Sequence, residues 1–203
     1  MCTLTRVDDR GIIRYGVLER RASRYFMDKN ECLILVDNSN TFICGQELSA
    51  QKRELEYDKD FSWRIDFGAL LDKVANGHQI IKAVLVGSTP PPKDSLWQAA
   101  KQIGFEVVTY ARGQSGEKSI DTEIVACGLD VIYEHPRPAV LKLLSGDRDF
   151  VPLVQRAYKK GWETELWGFS RCISNTLQQM AHRVILLDDL LEVIGRHESP
   201  SGF

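Results

Sequence analysis

The sequence predicts an α/β protein: a three-layer α/β/α sandwich with a mainly parallel central sheet. Three observations carry that reading. Short apolar runs alternate with segments of helical periodicity along the whole chain. Strands joined through helices must cross over, and crossovers place helices on both faces of a parallel sheet. Finally, carboxylates collect where apolar runs end, which is where open α/β sheets bind ligands.

The elements follow in order. Residues 1–30 form an N-terminal extension in which Ile12, Ile13, Tyr15 and Val17 could build a strand. Arg20, Arg21 and Arg24 lie beside Tyr25 and Phe26, a composition that suits either a nucleic-acid-contacting arm or an accessory segment packed on the domain. Leu33–Val36 is an apolar strand, and the polar stretch from Thr41 to Phe61 has room for a short helix. Asp66 caps a helix carrying Phe67, Leu70, Leu71 and Val74 and ending at Gly77. Ile80–Val86 is the next strand, followed by a rigid polar loop from Gly87 to Lys93. Asp94 caps a helix holding Leu96, Trp97, Ala100 and Ile103, closed by Gly104. Phe105–Tyr110 reads as a strand, and Ala111–Lys118 as a glycine-containing loop without P-loop spacing. Lys118 or Ser119 opens a helix with Ile120, Ile124 and Cys127 on one side. After the central strand Val140–Leu144 come a helix from Asp149, a strand Thr164–Trp167, and a loop bearing Ser170 and Arg171. A helix marked by Ile173, Leu177 and Met180 leads to a short strand Val184–Leu187. Asp188 caps a last helix to about Gly195, and residues 196–203 read as a frayed tail. The main domain therefore spans 31–195.

The stretch V-L-K-L-L-S-G-D-R-D-F-V-P-L-V from Val140 to Val154 organises this chain. It places Ser145, Gly146, Asp147 and Asp149 on the turn between a strand and a helix, with Pro152 acceptable in the first turn. Two carboxylates one residue apart repel unless a cation lies between them, and oxygen ligands suit Mg²⁺ or Mn²⁺. Equally, Asp149 could cap its helix while Asp147 sits in solvent. A second strand end, L-I-L-V-D-N-S-N with Asp37 and Asn40, and a third acid, Asp121 in K-S-I-D-T-E-I, favour the cation.

These blocks, with the tail S-N-T-L-Q-Q-M-A-H-R-V-I-L-L-D-D-L, resemble the NYN domains, relatives of the PIN-like metal-dependent ribonucleases. The resemblance covers about Glu31 to Ile194 with order and spacing preserved. It implies an endoribonuclease that hydrolyses RNA using Mg²⁺ or Mn²⁺, with Asp37, Asp121 and Asp147 as principal metal-binding carboxylates and Asp149 as a nearby fourth. Asn40 would orient water or phosphate, and Ser145 would hold the turn or a metal-bound water. Arg112, Lys118 and Arg171 are the expected phosphate contacts. The chain departs from the family at Cys127, where many relatives carry a further acid, and at His182, where they often carry Asp. An RNA-binding or assembly module without turnover is the alternative that Cys127 prompts. D-R-D also resembles the D-x-D of Toprim domains, but those carry glutamate after the first strand, where this chain has Asp37.

Composition sets the remaining expectations. A hydrophobic fraction of 43% and a charged fraction of 27% describe an ordinary globular chain. A net charge of −2 gives no global argument for nucleic acid, although an acidic site can offset basic patches in the sum. No apolar run reaches membrane-spanning length and the amino terminus lacks a signal-peptide core, so an intracellular, cytoplasmic location without membrane contact is expected. Five cysteines (Cys2, Cys32, Cys44, Cys127 and Cys172) without a C-x-x-C pair read as reduced thiols. The N-terminal extension is the expected surface for a homo-oligomer or protein partner.

Overall fold

The computed structural model describes residues 4–7, 12–15, 30–88, 95–110 and 116–198. Its centre is an eight-stranded sheet of β1 (Leu4–Val7), β2 (Ile12–Tyr15), β3 (Glu31–Asp37), β5 (Gln79–Ser88), β6 (Glu106–Tyr110), β7 (Val140–Leu144), β8 (Glu163–Gly168) and β9 (Arg183–Leu186). The order is β1-β2-β9-β8-β7-β3-β5-β6. The six strands from β9 to β6 are parallel, while β2 adds antiparallel to β9 and β1 antiparallel to β2. The N-terminal hairpin thus extends the sheet. The chain leaves β3 towards β5 and β6, then returns to lay β7, β8 and β9 on the other side. The carboxyl ends of β3 and β7 therefore flank the topological switch point.

Side-chain alternation builds one core on each face. Ile34 and Val36 pack towards α1 (Asn38–Lys52), α2 (Phe67–Ala75) and α3 (Ser95–Ile103), where Cys44, Leu48, Leu70, Trp97 and Ala100 are buried. Leu33 and Leu35 face α4 (Gly116–Glu134), α5 (Val151–Lys159) and α6 (Asn175–Met180), with Ile124, Leu153 and Leu177 fully enclosed. All five residues of β7 are buried, as a central parallel strand covered on both faces requires. Lys142 is the polar exception. Its Nζ donates to the Val74 and Ala75 carbonyls at the end of α2 (2.7 and 3.0 Å) and lies 3.5 Å from Glu165. The negative end of a helix dipole and a carboxylate together offset the cost of burying that ammonium.

Several expected elements differ. The polar stretch after β3 is the fifteen-residue α1, not a short helix. Its inward face uses Thr41, Gly45, Gln46 and Ser49, so apolar periodicity could not reveal it. Gly45 is required there, since a Cβ would stand 2.4 Å from the Trp63 ring. The helix bearing Asp121 begins at Gly116, before Lys118 and Ser119. Asp188 does not cap a helix running to Gly195. It opens one 3₁₀ turn, Asp188–Leu190, and its carboxylate accepts from Ser170 N and Oγ at 2.9 and 2.6 Å. Residues 196 and 197, expected to begin a frayed tail, belong to β10 (Gly195–His197), paired antiparallel with β4 (Trp63–Ile65). Asp66 does cap α2, accepting from Ala69 N at 3.0 Å. Asp94 and most of the loop before it lie outside the described residues, as does Arg112. The expectation of reduced thiols fails for one pair: Cys44 on α1 and Cys172 after β8 form a disulfide across 128 residues of sequence. No spacing motif announces a bridge between such distant residues. Among the described residues, Cys32 and Cys127 are free and buried. No helix among them is long and apolar enough to cross a membrane.

Candidate metal centre

Asp37 closes β3 and caps α1. Its Oδ1 accepts from Asn40 N at 3.1 Å, and its Oδ2 accepts from Ser145 Oγ at 3.0 Å. Burial pushes this carboxyl above its usual value. The hydrogen bonds from Asn40 and Ser145 work against that rise, and the charge of Asp147 adds to it. Ser145 Oγ also accepts from Asp147 N at 3.2 Å, so one buried hydroxyl joins the two strand ends. Asn40 Oδ1 accepts from Gly146 N at 3.0 Å. The sequence block D-N-S-N is thus the scaffold for the block S-G-D: α1 grips the turn after β7 through its first residues.

The turn itself is tight. Asp147 caps the 3₁₀ turn Arg148–Phe150, its Oδ1 accepting from Asp149 N at 2.9 Å. The role of helix cap, open to Asp149 on sequence grounds, therefore falls to Asp147. α5 begins without a side-chain cap, and Pro152 occupies its first turn, where no amide donor is missed. Gly146 passes so close to the following loop that a Cβ would stand 1.9 Å from the Cys172 carbonyl oxygen.

Asp121, Asp147 and Asp149 converge. One carboxylate oxygen from each lies within 4.8 Å of the others, the span three ligands of a single oxygen-bound divalent ion occupy. Two segments distant in sequence supply them, α4 and the turn after β7. Asp37 is not in that triad; it stands behind Asp147, linked through Ser145 Oγ. The donor set is all carboxylate, which fits Mg²⁺ or Mn²⁺ better than a thiophilic or imidazole-seeking metal.

Beside the triad opens a cavity of about 700 Å³ whose lining combines Asp121 and Asp149 with Thr122, Arg148 and Thr176 and an apolar wall of Val125, Val151 and Pro152. Arg148 was not singled out from the sequence, although its place between Asp147 and Asp149 in S-G-D-R-D put it at the site's rim. Arg171 is turned elsewhere: its guanidinium donates to Gln51 on α1 at 2.9 Å and lines a different depression with Glu47 and Tyr57. Lys118 lies in the first turns of α4.

Neither departure from the family pattern contributes a carboxylate. Cys127 is buried, and its thiol donates to Glu123 at 3.3 Å. Burial, then the bond to Glu123, pushes that thiol up to about 11, so without a metal it is not a thiolate at neutral pH. Glu123 in turn accepts from the Tyr110 hydroxyl at 2.7 Å. His182 serves packing: its Nδ1 accepts from Thr164 N at 3.1 Å, and its ring lies against Tyr158.

Comparison with known proteins bears on the fold and the family. A solved structure of a protein of unknown function from Vibrio parahaemolyticus superposes with a TM-score of 0.61, covering 79% of this chain and 94% of that one at 20% identity, a likeness of fold. A uracil-DNA glycosylase of Francisella philomiragia is 26% identical over 92 residues, spanning 45% of this chain and 42% of its own length. The chain thus spans less than half of that relative. The profile of the NYN domain matches residues 32–188, from the buried start of β3 to the turn after β9, and so takes in both strand ends and all four acids of the site. On that match, this chain belongs to the NYN domain family.

Proposed function

We propose that this chain is a metal-dependent endoribonuclease, with one Mg²⁺ or Mn²⁺ held by Asp121, Asp147 and Asp149 and supported by Asp37. The observation that carries this reading is the convergence of three carboxylates at the carboxyl edge of the sheet, beside a cavity that offers a cation and an apolar wall. RNA as substrate rests on family membership. A divalent ion there would supply a nucleophilic water at neutral pH and neutralise charge on the scissile phosphate.

The chain's own residues do the rest. Arg148 offers positive charge at the cavity rim to a phosphate of the substrate backbone. Val125, Val151 and Pro152 accept the apolar face of a neighbouring base or sugar. Asn40, whose carbonyl is occupied by Gly146 N, keeps its amide NH₂ as a donor for water or phosphate. Ser145 fixes the spacing between the two strand ends. Arg112 and Lys118 are the further phosphate contacts, on the segment leading to Asp121. Their loss should weaken RNA binding and flatten its salt dependence.

A second reading, an RNA-binding module without turnover, draws on one observation: Cys127 stands where many relatives have an acid, and Glu123 is engaged by Tyr110 and Cys127. One experiment separates the two. Purified protein is incubated with labelled single-stranded RNA and Mn²⁺, with and without chelator, beside Asp147→Asn. The nuclease cleaves only with metal and loses more than about a hundredfold in the variant, beyond the loss typical of a supporting residue. Binding without cleavage, unchanged by the substitution, selects the module.

A further inference from the structure

We infer that the Cys44–Cys172 disulfide is a redox clasp that positions the metal-binding turn. This rests on the metal-site reading above. Asn40 and Cys44 lie four residues apart, on the same side of α1. Asn40 holds the Gly146 N–H at 3.0 Å, while Ser174 N donates to the Gly146 carbonyl at 2.8 Å. The Cys172 carbonyl is packed directly against Gly146 Cα. The peptide of Gly146 is thus pinned by α1 on one side and by the loop after β8 on the other. The disulfide ties those two supports together and closes a ring around the residue preceding Asp147.

The loop has other tethers: Ser170 to Asp188 and Arg171 to Gln51, both exposed, act before Cys172, and Ser174 N to the Gly146 carbonyl acts after it. With those tethers in place, opening the disulfide leaves the fold intact and loosens the Cys172 carbonyl where it presses on Gly146. Cys172 is the more accessible partner, whereas Cys44 is only 7% exposed. A thiolate of a dithiol reductant attacks Cys172 Sγ, the S–S bond breaks, and Cys44 leaves as a thiolate that takes a proton. The reductant's second thiol then displaces Cys172 from the mixed disulfide. Overall the protein gains two electrons and two protons, and the reductant becomes a disulfide.

The test uses the whole 203-residue chain carrying Cys2→Ser, so that the remaining free thiols, Cys32 and Cys127, are buried. Mn²⁺ affinity is measured by calorimetry on the oxidised and the fully reduced protein, with circular dichroism on both. The expected result is about tenfold weaker Mn²⁺ binding after reduction, with the fold retained. Linkage is reciprocal, so Mn²⁺ must make the disulfide harder to reduce by the same tenfold, a midpoint shift of about 30 mV for a two-electron couple. A disulfide that only staples the fold would not respond to Mn²⁺ in this way. The double variant Cys44→Ser/Cys172→Ser should bind Mn²⁺ like the reduced protein. Equal affinity in both redox forms with an unmoved midpoint overturns the clasp while leaving the metal site standing. Unfolding on reduction overturns it too, by making the bond a general staple. Failure of the oxidised protein to bind Mn²⁺ removes the metal site itself, and the clasp with it.

Discussion

Asp37 and Asp60 are buried to nearly the same degree, 5% and 3% exposed, yet their surroundings push them in opposite directions. Asp60 is desolvated, but hydrogen bonds from Ser62, Ser49 and Arg53 outweigh that penalty and hold its carboxyl far below the usual carboxylate range. Ser49 Oγ, Ser62 Oγ and Arg53 Nη1 stand 2.6–2.7 Å away, and His197 at 3.3 Å. That cluster fastens the end of α1 to the β4–β10 ribbon, and it is complete within the protein. At Asp37 burial prevails over hydrogen bonds from Asn40, Ser145 and Ser39, and the like charge of Asp147 adds to the rise. An acid satisfied by its own protein is structural. Asp37 keeps its hydrogen bonds from Asn40 and Ser145 but stands beside a second acid, a repulsion that the proposed ion would relieve.

The largest effect that would sharpen this contrast belongs to Asp60. Asp60→Ala takes the acceptor from the Ser49 and Ser62 hydroxyls and the ion pair from the half-exposed Arg53, at a cost of about 3 kcal/mol in urea unfolding at pH 7. A carboxyl depressed in the folded state contributes stability that is present above its unfolded pKa, about 3.9, and lost as pH falls below it. The gap between parent and variant should therefore be widest near neutrality and narrow below about pH 4. A gap that does not change with pH would contradict the electrostatic origin.

Next comes Gly146→Ala. The added methyl meets the Cys172 carbonyl, a backbone group that cannot swing aside, so a loss of about 2 kcal/mol is expected. Mn²⁺ affinity should fall with it, because the displaced peptide leads into Asp147. Unfolding curves and a Mn²⁺ titration check the two parts separately.

Asp37→Asn should show the smallest change and the opposite sign. Asn is an equally good helix cap, and the substitution removes a charge from beside Asp147. The metal-free variant is expected to gain up to about 1 kcal/mol. Because the Asp37 carboxyl is raised in the folded state, its contribution is favourable below the unfolded pKa and is lost as pH rises through the folded one. The gain should therefore appear only above pH 4. A destabilised variant at pH 7 would make Asp37 a structural acid like Asp60.

How much of this was legible in the sequence depended on which physics set each residue. The parallel sheet and the strand ends were legible because buried strands read as apolar runs, and Asp37, Asp147 and Asp149 stand directly after them. The full extent of α1 was hidden because Thr41, Gly45 and Ser49 make up much of its inward face, with Leu48 as its single leucine. The Asp60 cluster and the disulfide were invisible because their members lie up to 144 residues apart and only the folded sheet brings them together. The same reason kept Arg171 from its true neighbour, Gln51.

The most direct test of the central claim is the melting temperature of the parent and of Asp147→Asn, each with Mn²⁺ and with chelator. With metal at about a hundred times its dissociation constant, the parent should gain roughly 2.7 kcal/mol, a rise of about 5–10 °C for a chain of this size. The variant should melt at the same temperature as the metal-free parent or slightly above it, and should rise with Mn²⁺ by less than half as much. A parent indifferent to metal, together with a variant that melts lower, would show that Asp147 only supports its turn and that the triad holds no ion.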